Sequence, residues 1–156
     1  RYVFSLIDRF IDSLANNAES AIARESGAYD KINAALSIVF NTLSRHRSLA
    51  KILLIGGLGL GKVFDEKLLA GHDRLTALIK KYLDQAIDEK AIELINTEVI
   101  AYAWFGSINE VVIRWLYSEK SDFLDEALDT VRWILLSSIR PKHRGNNSRG
   151  DGVSAI

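Results

Sequence analysis

TEVIAYAWFGSINEVVIRWLY, residues 97 to 117, carries no proline and is apolar nearly all the way round a helical wheel. At 100° per residue, Tyr102, Phe105, Asn109, Val112, Ile113 and Leu116 fall on one side, and Trp104, Ile108, Val111 and Trp115 on another. Two apolar faces need two partners: the domain's own core or cavity, and a second chain. Asn96 or Thr97 can cap the start by accepting a backbone N–H, and Glu98 suits the positive end of the helix dipole. On a third face Glu110 and Arg114 stand four apart. They are an ordinary supporting ion pair if exposed and a register device if buried at an interface.

Outward from this segment the same spacing recurs. Phe123, Ala127, Val131 and Ile134, with Leu124, Leu128 and Leu135, give a wide apolar face to a last helix over 121–139. Upstream, Leu68, Leu75, Leu78, Ile79, Tyr82, Leu83 and Ala86 predict a helix within 63–90. The apolar run from Leu49 to Leu58 is too short for periodicity to separate helix from strand; we read it as helix, ended by Gly56, Gly57, Gly59 and Gly61. Tyr29, Ile32, Leu36, Val39, Phe40 and Leu43 mark a helix before the polar corner at His46. Residues 2–22 form a long amphipathic helix that Ser26 and Gly27 interrupt. The only proline, Pro141, lies beyond all of these. The fold class is therefore all-α, an antiparallel bundle of about six helices over 1–139. The glycine-rich, polar stretch 140–156 reads as a flexible tail, too poor in apolar groups to offset its ordering entropy.

A chain of 156 residues suffices for one hydrophobic core. Twenty basic residues balance twenty acidic ones, so the domain lacks the positive field that draws a protein onto phosphate backbones. No cysteine is present, which excludes disulfides, thiolate metal sites and thiol catalysis. In the apolar C-terminal half the longest uncharged stretch, Val99 to Asn109, is far short of the roughly 20 residues that span a bilayer. Asp8, Arg9 and Asp12 break any signal-peptide core, and a cytoplasmic location is expected. Opening on Arg1, the chain reads as a fragment of a longer protein.

Three motifs invite stronger readings. Gly56, Gly61 and Lys62 match the start of a phosphate-binding loop, but Val63 stands where a hydroxyl should ligate magnesium, and no alternating strands and helices supply the sheet under such a loop. A glycine-rich link between helices accounts for it better. His46, His72 and His143 are too far apart for a zinc site, so no metal and no cofactor is expected. No nucleophile sits in a reactive context, so no catalytic residue and no enzyme activity is expected either; Arg149, Gly150 and Asp151 form an adhesion-like triplet by coincidence. His72 falls beside Leu68, Leu75 and Ile79 on an apolar face, where its ring needs a partner: a protein group at the rim of the core, or a ligand. Asn109 has the same two readings.

AKILLIGGLGLGKVFDEKLLAGHDRLTALIKKYLDQAIDE, residues 50–89, resembles the middle helices of the tetracycline-repressor (TetR) family of transcriptional regulators. INTEVIAYAWFGSINEVVIRWL, residues 95–116, is similar to the helix that follows them, with Thr97 at the capped start, Gly106 near the middle, and Asn109 and Glu110 before a last apolar group. RYVFSLIDRFIDSL resembles the helix leaving the DNA-binding headpiece. The chain departs from the pattern at Lys90 or Ala91, where a glycine is common, and the N-terminal helix-turn-helix domain is absent from it.

The resemblance implies the effector-binding and dimerisation domain of a ligand-responsive regulator, a repressor in type. DNA would be contacted only through the missing headpiece. From aromatic and polar groups on the inward faces of three helices, we expect a small lipophilic effector to meet Phe40, His72, Tyr82, Tyr102, Phe105 and Asn109. A homodimer is expected through Trp104, Ile108, Val111, Trp115, Leu124, Leu128 and Leu135, which a protomer alone would leave partly in water. The competing reading is a helical interaction or scaffold module with no small ligand. A cavity favours the first; a filled core favours the second.

Overall fold

The computed structural model describes residues 2–55, 60–118, 120 and 122–142. They form six helices: α1 (Tyr2–Ala23), α2 (Ala28–Arg45), α3 (Arg47–Leu54), α4 (Lys62–Asp88), α5 (Thr97–Tyr117) and α6 (Phe123–Ser137). The ambiguous run from Leu49 is thus helical as far as Leu54; Gly56, Gly57 and Gly59 lie outside the described residues, and Gly61, at φ 91°, precedes α4. His46 ends α2 and starts α3 with the same residue, so the corner has no loop. Of the two candidate caps for α5, Asn96 is the one used: its side chain accepts the Val99 N–H. Thr97 instead donates its hydroxyl to Asp84 of α4 at 2.6 Å.

Cross-helix contacts fix the directions. Asp8 pairs with Lys67 at 2.6 Å and Asp12 with Arg74, so α1 and α4 run parallel. Between those pairs the helices approach closely: a Cβ on Gly71 would lie 2.8 Å from Ile11 Cδ1. α4 and α5 run antiparallel, joined at Asp84 and Thr97 and again where His72 meets Phe105. The core lies between these layers, with Ile7, Phe10, Leu14, Phe40, Phe64, Leu83, Val112 and Leu135 among its buried members.

Two connections need special geometry. Lys90 follows α4 at φ 58°, the left-handed region, while the Lys90 N–H bonds to Ile87 O and the Ala91 N–H to Ala86 O, both at 2.9 Å. This crossed pair of bonds closes the helix in the motif that usually holds glycine. After α6, Pro141 forms an antiparallel bridge with Ile92, flanked by bonds from Glu93 N–H to Arg140 O and from Lys142 N–H to Ala91 O. Residues 140–142, read from sequence as the start of a tail, are therefore paired to 91–93; residues 143–156, including His143 and the Arg149–Gly150–Asp151 triplet, lie outside the described residues.

The other end of α5 is held by Arg47. One of its guanidinium nitrogens, Nη2, bonds to Leu116 O at 3.0 Å and Ser118 O at 3.1 Å, and the guanidinium lies 4.7 Å from the Trp115 ring centroid. These carbonyls belong to the last turn of the helix, which has no intrahelical donors left.

Candidate ligand cavity

Small and branched residues at helical spacing leave a space between the layers. Ile11, Leu14, Ala18 and Ile22 line it from α1, and Ile32, Leu36, Val39 and Leu43 from α2. α4 contributes a face from Leu68 to Ala86, a run of about 27 Å at the ordinary helical rise. Trp104, Phe105, Ile108, Asn109 and Val112 close it from α5, and Leu53 and Leu54 from α3. The cavity has a volume of about 170 Å³. Gly71 belongs to its wall and lets α1 approach α4 closely there.

Polar groups on the wall are few. His72 sits with its ring centroid 4.7 Å from that of Phe105, tilted by 53°. Its Nε2 is buried and has no hydrogen-bond partner among the described residues. Burial lowers its pKa from 6.5, against a weaker opposing pull from the Asp73 carboxylate, which favours the uncharged ring. Asn109 stands one turn along α5 from Phe105. Tyr82, from α4, and Lys31, from α2, lie toward the end formed where α1 turns into α2.

Four of the six expected contact residues, His72, Tyr82, Phe105 and Asn109, thus share this wall. The other two require correction. Phe40 is buried to 2% exposure in the filled core rather than lining the void, because its neighbours Leu36, Val39 and Leu43 occupy the inward arc of α2. Tyr102 is 56% exposed and donates its hydroxyl to Glu98 at 3.0 Å, one turn back on the outer side of α5; that carboxylate pushes its pKa up. The wheel placed Tyr102 with Phe105, but the two lie about 60° apart by helical spacing and the edge of the core falls between them.

Of the seven expected dimer residues, four are not left in water by the protomer. Trp104, Trp115, Leu124 and Leu135 are buried within the chain itself, and Trp104 Nε1–H donates to Ser138 Oγ at 2.7 Å. Ile108, Val111 and Leu128 touch the same core but are only partly buried. The helices pack against one another, which turns Trp104, Trp115, Leu124 and Leu135 inward. What remains exposed is the opposite stripe: Val99 and Tyr117 with Ala103 and Gly106 on α5, and Trp133, 70% exposed, with Ile134 and Thr130 on α6. A wheel of 123–137 separates Trp133 from Leu124, Val131 and Leu135, so the signal was in the sequence. Glu110 and Arg114 pair at 2.9 Å on the exposed side of α5.

Among the described residues no group of three or more His, Asp or Glu could hold a metal, and no helix is long and apolar enough to cross a membrane. By sequence, no family profile and no curated protein matches this chain. Its fold, however, is that of known regulators. The fatty acid degradation regulator FadR from Bacillus halodurans superposes with a TM-score of 0.78 at 16% identity, covering 88% of this chain and 75% of that one. A TetR-family transcriptional regulator from Syntrophomonas wolfei gives 0.73 at 13% identity over 86% and 70%. A TetR transcriptional regulator from Chloroflexus aurantiacus gives 0.71 at 15% identity over 86% and 71%.

Proposed function

We propose that this chain is the effector-binding and dimerisation part of a ligand-responsive transcriptional regulator of the repressor type. The observation that carries the reading is the apolar cavity between α1, α2, α4 and α5, with His72 and Asn109 as isolated polar points on an aliphatic wall. A scaffold module would need its core filled. A lipophilic effector suits this lining, and a neighbour of the same fold regulates fatty acid degradation.

Occupancy can act only through differential affinity: the effector must bind one arrangement of α1 and α4 more tightly than the other. The α1–α4 seam at Asp8, Ile11 and Asp12 is where a shift of the cavity wall reaches the first helix. DNA contact would belong to a headpiece outside this chain. Dimerisation would use the exposed stripes of α5 and α6, whose pairing with symmetry mates removes Trp133, Ile134, Val99 and Tyr117 from water.

The test is saturable binding. Lipophilic compounds titrated into the chain should quench or shift the fluorescence of Trp104, which lines the cavity, and Leu75→Trp, which fills it, should abolish that response. An unchanged affinity in Leu75→Trp, or no saturable response from any lipophilic compound, would overturn the reading.

A further inference from the structure

The cavity wall is not uniform from end to end. Its faces on α4 run from Leu68 to Ala86, and the parallel pairing of α1 with α4 places Ile22, at the end of α1, beside Tyr82 rather than beside His72. The same end receives Ala28, Lys31 and Ile32 from the start of α2. Lys31 is the one lysine on the lining, which carries no arginine, aspartate or glutamate. It is partly buried, and no ion pair in the described residues engages its ammonium group. Tyr82, on the facing helix, likewise has no hydrogen-bond partner for its hydroxyl among the described residues. At the opposite end the lining is Leu43, Leu53, Leu54, Leu68 and Val112.

We infer that the ligand is a single-chain anionic amphiphile, its carboxylate or phosphate head at Lys31 and Tyr82 and its aliphatic tail lying along α4 toward Leu68 and Val112. This rests on the effector-binding reading above and narrows it to a ligand chemistry and an orientation. An elongated aliphatic slot about five helical turns long takes an extended chain better than a compact ring system. A lysine at its partly wet end offers a compact cation whose stem is itself apolar, so it can reach an anionic head without burying an unpaired charge. A cationic head at that end would face Lys31 with like charge, and a neutral head would leave the ammonium without its pair.

The experiment uses the chain as it stands and four probes: dodecanoate, dodecyl phosphate, dodecan-1-ol and dodecylamine, titrated by calorimetry below their aggregation limits. Lys31→Gln should weaken both anions about three- to tenfold while leaving dodecan-1-ol within about twofold, and the difference should shrink as salt is raised. Lys31→Glu should weaken the anions further and tighten dodecylamine. The ratio of dodecanoate to dodecyl phosphate affinity tells which head the site prefers. Equal losses for anions and alcohol in Lys31→Gln, or no gain for the amine in Lys31→Glu with the helical circular dichroism intact, overturn the inference and leave the cavity reading standing. Failure of all four probes to bind removes the cavity reading and this inference with it.

Discussion

Replacing Lys90 by glycine should leave the protein more stable than replacing it by alanine, although glycine is the smaller residue. Lys90 sits at φ 58° after α4, where a Cβ crowds the following carbonyl at a cost of roughly 1–2 kcal/mol. Glycine avoids that cost but gives up roughly 0.5–1 kcal/mol of unfolded-state entropy relative to alanine, leaving a net gain of about 0.5–1 kcal/mol. The lysine side chain is exposed and lies at the negative end of the helix dipole, so removing it costs a few tenths of a kcal/mol up to about 1. Lys90→Ala measures that loss separately, because alanine keeps the strain. Urea unfolding at neutral pH should therefore rank Lys90→Gly above Lys90→Ala by about 0.5–1 kcal/mol, with Lys90→Asn between them. In a domain of this size the Gly–Ala difference corresponds to about 1–4 °C in the melting midpoint. Equal stability of the glycine and alanine variants would refute the reasoning, since it would mean the left-handed turn stores no more strain than glycine loses in unfolded-state entropy.

Arg47→Met should destabilise by about 2–3 kcal/mol in the same assay, from two charge-assisted bonds to α5 carbonyls and the stacking on Trp115; a loss under about 0.5 kcal/mol would show that solvent replaces them. His72→Leu should flatten the acid side of the stability curve. Burial holds the folded pKa below 6.5, so just under that pH the unfolded chain binds a proton that the folded chain refuses, and stability falls on acidification. Denaturation followed from pH 7 to pH 5 checks this, and an identical pH slope in both proteins contradicts it. Trp133→Glu with Ile134→Glu should convert a dimer to a monomer at micromolar concentration in sedimentation equilibrium, whereas a dimer insensitive to both places the interface elsewhere.

Helical periodicity located all six helices because each presents apolar residues three and four apart, and the one ambiguous run, from Leu49, resolved as helix. Which apolar face meets which neighbour was not legible. Trp104 and Tyr102 are two residues apart and both aromatic, yet one is buried and the other 56% exposed, a difference set by where α6 returns against α5. The cavity was legible through His72, Tyr82, Phe105 and Asn109, whose polar or aromatic character stands out on an aliphatic face. Lys31 was not, because a lysine near a helix start reads as solvated surface until the end of α1 and the face of α4 are brought beside it.

The pairing of Ile92 with Pro141 has a consequence for how the molecule opens. Everything between those two residues, the whole α5–α6 hairpin, is tied off at its base by the bridge and its two flanking amide bonds, and Trp104 is pinned to Ser138 a short way inside. Such an arrangement cannot peel from the α6 end one turn at a time, because release of residues 140–142 also frees the segment that precedes α5. Amide protons of α5 and α6 should therefore exchange with solvent as one cooperative block, with the Glu93 and Lys142 amides sharing its protection instead of fraying ahead of it.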